Sequence, residues 1–231
     1  MANSDTRNSL ILTEPSLPFA LSAAIAFLWL AGYTNAFNFM DGINGLAASQ
    51  AAFTGLGMAL LTSVVSGPPI SAPLLLSVIL AGAALGFLPH NFPKTRMFMG
   101  DVGSAPLGFL LATLVLWSAR DYGWSLLIPL ALLHANFVLD TGITLVRRII
   151  RRERWYAAHR EHFYQRLVRS GKSHAFVTLW EMGLQMVVLA LMLLYPRAGD
   201  VERLGLMGLV VAIWLAFFCY CESQFRMKAD R

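Results

Sequence analysis

The sequence predicts an all-α, polytopic integral membrane bundle of about seven transmembrane helices with its active loops on the cytoplasmic side, and three observations carry that reading. The 231 residues are 57% hydrophobic and only 13% charged, with a mean hydropathy of +0.59. Too few polar groups remain to coat a water-soluble surface. The apolar residues also run in long blocks, close to the ~20 residues that a helix needs to cross a bilayer. Finally, the charge is confined to connections: of 18 Lys and Arg, nine lie between Arg147 and Lys172. A nucleic-acid binder would spread such charge over a solvated face, so no nucleic-acid partner is expected and membrane lipid is.

In chain order the apolar blocks place spans at about 18–37, 46–66, 72–89, 105–119, 123–146, 175–195 and 204–221. Breaks rich in Pro and Gly, such as "SGPPISAP" between the second and third, separate some of them. The fourth is short for a crossing. The opening "MANSDTRNSLILTEPSLP" is polar and has neither a signal-peptide nor a lipidation pattern. Cys219 and Cys221, at i and i+2, point to different sides of a helix, which excludes a disulfide between them. No internal repeat or second domain is visible, so residues 1–231 read as one membrane domain. Connections on one side carry 14 Lys and Arg against four on the other. The basic side, which includes the 147–172 loop, is therefore assigned to the cytoplasm.

That orientation gathers three polar constellations on one face. In "NAFNFMDGING" (35–45), Asn35, Asn38 and Asp41 are spaced by three and form one stripe if helical. In "NFPKTRMFMGDVGSAPLG", Asp101 stands between Gly100 and Gly103 just ahead of the fourth span, with Asn91, Lys94 and Arg96 nearby. One carboxylate, an amide and two cations suit a Mg²⁺–phosphate site, because Mg²⁺ takes one or two carboxylates and leaves its other positions to water and phosphate. In "HREHFYQRL", His159, His162 and Arg166 fall on one side of a helix, with Arg160 beside them, and could grip an anion. Zinc, with His174 as a third ligand, lacks a convincing fourth group. Asp140, in the fifth span, either faces the site or bonds within the bundle. Glu181 shows no evident partner, and His134 reads as an interior histidine.

Together and in this order, "NAFNFMDGINGLA", "NFPKTRMFMGDVGSAPLG" and "HREHFYQRL" resemble the polyprenyl-phosphate glycosyl-1-phosphate transferases. That superfamily includes phospho-N-acetylmuramoyl-pentapeptide transferase and the N-acetylhexosamine-phosphate transferases, and the third motif is most similar to its O-antigen branch. The resemblance implies transfer of N-acetylhexosamine-1-phosphate from a UDP-sugar to polyprenyl (undecaprenyl) phosphate, with release of UMP, at the bacterial inner membrane. It implies Mg²⁺, with Mn²⁺ as a substitute. By the same resemblance, Asp101 matches the metal-binding and catalytic Asp, and Asp41 a second catalytic carboxylate. Asn38, Asn91, His159, Arg160, His162 and Arg166 match substrate-binding positions. Asn44 stands where many relatives carry a second Asp. An aspartate-rich D-D-x-x-D motif, expected on an earlier helix, is not found in 1–34. The chain is therefore expected to be the C-terminal portion of such an enzyme, with a non-catalytic homologue that binds nucleotide sugar or scaffolds glycan assembly as the alternative. A two-fold homodimer through late helices is a further expectation.

Overall fold

The computed structural model describes residues 18–66, 70–154 and 160–229. Every regular element among them is helical: α1 (Phe19–Phe39), α2 (Leu46–Ser66), α3 (Ala72–Asn91), α4 (Gly100–Tyr122), α5 (Leu127–Leu132), α6 (Ala135–Ile150), α7 (Phe163–Arg169), α8 (His174–Leu194) and α9 (Asp200–Ala229), with 3₁₀ turns at Trp124–Leu126 and Tyr195–Arg197. Six helices are long and apolar enough to span a membrane; α5 and α6 pass the same test only as a pair bent by 69° at their junction, the form of a broken seventh span or a re-entrant loop. α2 is the central helix, two-thirds buried, and it packs against α3, α4 and α8, while α1 lies on α4 and α6. α9 closes the bundle over α6, α7 and α8.

These helices are apolar around most of their circumference, as lipid-embedded helices are. Side chains alone therefore do not select which faces meet, and close backbone approach does. Gly108 shows how α1 and α4 are matched: a Cβ built there would stand 2.8 Å from Phe37 Cβ and 3.1 Å from Thr34 Cα. Gly108→Leu should push α4 off α1 at a cost of about 1–3 kcal/mol, the usual range for overpacking. A fall in the thermal unfolding midpoint of the detergent-solubilised protein would register it.

The bent pair departs from the unbroken 123–146 span expected from hydropathy. No local breaker stands at Leu133 and His134, so the bend has a tertiary cause. The carbonyl of Leu133 accepts Gln50 Nε2 at 3.0 Å from α2 and Gln185 Nε2 at 2.9 Å from α8. In lipid an exposed carbonyl costs several kcal/mol, so a helix can open only where partners such as these await it. Asn136 joins the layer through Gln50 Oε1 at 3.0 Å and Glu181 Oε2 at 3.4 Å, which gives Glu181 its partner. His134 is buried, and its Nδ1 donates to the Leu130 carbonyl at 2.9 Å.

α6 is amphipathic in the inverted sense proper to a membrane. Asn136, Asp140, Thr144 and Arg148, each four residues apart, form a buried polar stripe, while Val146, Ile149 and Ile150 are exposed. The fourth span is longer than expected, and Asp101 lies in its first turn instead of ahead of it. A carboxylate there meets the positive end of the helix dipole.

Candidate active site

All three motifs converge at one end of the bundle, where α1, α3 and α6 end and α2, α4 and α8 begin. Asn38, in the last turn of α1, donates through Nδ2 to Asp101 Oδ1 at 2.9 Å and to Ser104 Oγ at 2.8 Å, both in the first turns of α4. Asp41 directly follows the C-cap of α1, its amide still bonded to the Asn38 carbonyl at 3.2 Å. Burial pushes its carboxyl up to about 6, Asp101 nearby adds to the rise, and the Gly100 amide opposes it. Both carboxylates are hard oxygen donors of the kind a divalent cation takes, and Asp101 is exposed to solvent, while among the described residues no group of three or more acidic, His or Cys side chains is gathered to enclose a metal.

Asn91, the last residue of α3, is 5% exposed and braces the loops instead of opening to solvent. Its Oδ1 accepts the Gly45 amide at 2.7 Å, and its Nδ2 donates to the Met97 carbonyl at 2.8 Å. It thereby ties the turn carrying Asp41 to the loop that leads into Asp101. Asn91→Ala strands a buried N–H, a loss of about 1–3 kcal/mol. A lowered thermal midpoint should report it. Asn44 is held by the same logic: Nδ2 donates to the Pro93 carbonyl at 3.0 Å, and Oδ1 meets His174 Nδ1 at 3.0 Å. Thr178 adds a bond to the Asn44 carbonyl at 2.8 Å. His174 is therefore a pin between α8 and the Asp41 turn.

The histidine segment differs most from expectation. α7 begins only at Phe163, so His162 precedes the helix, and His159 lies outside the described residues. His162 is 3% exposed and bonds Asp140 Oδ1 through Nδ1 at 2.9 Å. Arg166 is also turned inward, onto Glu222 at 2.8 Å and the Glu161 carbonyl at 2.9 Å. Arg160 is exposed. Tyr164 couples this segment to the Asp41 turn: its hydroxyl donates to the Phe39 carbonyl at 2.9 Å, and it lies so close over Gly42 that no Cβ fits there. Sequence reasoning left Asp140 undecided. The four-residue spacing of Asn136, Asp140, Thr144 and Arg148 in an apolar stretch was the signal that marks it as inward-facing.

The family model for glycosyl transferase family 4 matches residues 3–119. The chain belongs to glycosyl transferase family 4. Decaprenyl-phosphate N-acetylglucosaminephosphotransferase of Mycobacterium tuberculosis is 35% identical over 167 residues, 63% of this chain and 40% of that protein. A probable undecaprenyl-phosphate N-acetylglucosaminyl 1-phosphate transferase of Bacillus subtilis is 34% identical over 158 residues, covering 67% and 43%. Phospho-N-acetylmuramoyl-pentapeptide-transferase of Staphylococcus haemolyticus is 27% identical over 183 residues, covering 78% and 54%. The family 4 chain thus spans about half the length of these curated relatives or less. With its six or more apolar spans it is a multi-pass membrane protein. The Asn38–Asp101 bond and the facing Asp41 lie within the part that the family model matches.

Proposed function

We propose that this family 4 chain transfers N-acetylhexosamine-1-phosphate from a UDP-sugar to a polyprenyl phosphate at the cytoplasmic rim of the bacterial inner membrane. The observation that carries it is the pairing of Asp101, fixed by Asn38, with Asp41 where the helices meet water. An oxygen of the lipid phosphate attacks the phosphorus that bears the sugar. A new P–O bond forms, the bridging P–O bond to the nucleotide breaks, and UMP leaves with that oxygen. Several negative charges meet in this step, and a loose phosphoryl-transfer transition state is stabilised mainly by positioning and charge. Mg²⁺ held by Asp101, with Asp41 beside it, would supply that neutralisation. Asn38 orients the Asp101 carboxylate, while Asn91 and Asn44 hold the two loops at a fixed spacing. Arg160, exposed to solvent, would meet phosphate oxygens from the aqueous side. The reacting headgroup comes from the bilayer and the nucleotide from water, which accounts for catalytic groups gathered at one rim instead of through the depth of the bundle.

The test is exchange. Membranes that carry the protein should incorporate labelled UMP into UDP-N-acetylhexosamine only when both polyprenyl phosphate and Mg²⁺ are present. Exchange that proceeds without the lipid phosphate, or none under any of these conditions, would overturn the proposal.

A further inference from the structure

Asp140 is 1% exposed in α6, and its carboxylate accepts from several donors at once. His162 Nδ1 and the Thr144 hydroxyl reach Oδ1 at 2.9 and 3.3 Å. The Phe163 amide lies 3.2 Å from Oδ1 and 3.0 Å from Oδ2, and the Tyr164 amide 3.4 Å from Oδ2. The other contacts of this carboxylate are a hydroxyl and two backbone amides, all donors, so it serves as an acceptor and Nδ1 of His162 carries a proton toward it. The ring plane is fixed as well. The Tyr164 ring lies 5.9 Å away and stacked, and the Phe39 ring 6.1 Å away. Phe39 stands two residues before Asp41, and its carbonyl receives the Tyr164 hydroxyl.

Starting a seven-residue helix does not call for a buried acid, since Ser, Thr or Asn would serve. An acid at this depth in a membrane bundle is expensive and generally marks function, with its partner naming the role. Here the partner is a histidine set against the turn that carries Asp41. We infer that Asp140 is a positioning residue for the transfer: it fixes the tautomer and ring plane of His162 and the seat of α7, so that the histidine segment meets the substrate in one preset geometry. The inference rests on the transferase reading above.

The experiment uses the protein in nanodiscs with ¹⁵N-labelled histidine, the His162 signal being assigned by its loss in His162→Gln. The native protein should show Nδ1–H at His162, and Asp140→Asn should move the proton to Nε2. UMP exchange by Asp140→Asn should fall about 10–100-fold in kcat, on the scale seen when the outer-shell partner of a metal-bound histidine is lost, with KM changed less than about threefold. In the His162→Gln background the same substitution should cost less than about threefold more. A native Nε2–H signal would overturn the inference without any variant of Asp140. So would an equal loss of exchange with and without His162, the mark of a merely structural acid. Nδ1–H at His162 in a native protein that exchanges no UMP would sink the transferase reading while leaving the Asp140–His162 coupling in place, so the two failures are distinguishable.

Discussion

Replacing Asp101 by Asn should lower UMP exchange by about 10³-fold or more while leaving the fold intact. The substitution conserves shape, and an Asn at 101 still offers an oxygen to Asn38 Nδ2, which now lies 2.9 Å from Oδ1. What is lost is a full negative charge beside Asp41. On the proposed reading, Mg²⁺ at Asp101 would lose its carboxylate ligand and be held more weakly, and the charge developing on the leaving UMP would be less well met. Electrostatic and metal effects of this kind contribute several kcal/mol to a transition state, and about 4 kcal/mol corresponds to 10³-fold. The loss should appear in kcat and in a raised Mg²⁺ requirement. The thermal midpoint should hardly move, because Asp101 is exposed and surface changes typically stay within about 0.5 kcal/mol. A variant that keeps more than a tenth of native exchange would exclude Asp101 as the metal-holding carboxylate.

Local chemistry made much of this legible in the sequence. Spans followed from hydropathy because lipid admits few alternatives to a closed helix. The convergence of Asn38, Asp41, Asn91 and Asp101 on one rim followed from counting crossings and basic residues. The bend after Leu133 was not legible: its cause is a pair of glutamines, Gln50 and Gln185, that stand far away in sequence and capture one carbonyl. The histidine segment misled for a related reason. Periodicity suggested one helix carrying His159, His162 and Arg166, but Asp140 binds the amides of Phe163 and Tyr164 and so fixes where that helix starts. Composition alone could not separate a cation facing substrate from one facing protein. Arg166 looked like the former, yet its charge is taken up by Glu222, 56 residues later on α9.

That pair yields the second large effect, on the seating of α7. Glu222 receives Arg166 at 2.8 Å, Arg147 at 3.1 Å and Arg226 at 2.9 Å, and so links α6, α7 and α9 through one carboxylate. The three contacts differ in weight. Arg226 is 73% exposed and Arg147 34% exposed, so water and salt screen both, and each contributes about 1 kcal/mol or less. Arg166 is 8% exposed, and its remaining carboxylate, Glu161, stands 3.7 Å away. Removing one partner of a fully buried pair costs about 3–5 kcal/mol because the other charge is stranded. Glu222 itself keeps 16% exposure, which lets some water reach Arg166 and brings the expected loss for Glu222→Ala down to about 2 kcal/mol. The loss is local to α7, which Phe225 and Lys228 also hold through Arg169. Amide hydrogen exchange across 163–169 should therefore rise by about 30-fold while α2 and α3 stay protected. Arg226→Ala, which touches the same carboxylate from the solvent side, should change exchange in α7 less than about threefold. Equal effects from the two substitutions would mean that bulk surface charge, and not the buried Arg166 contact, seats the histidine segment.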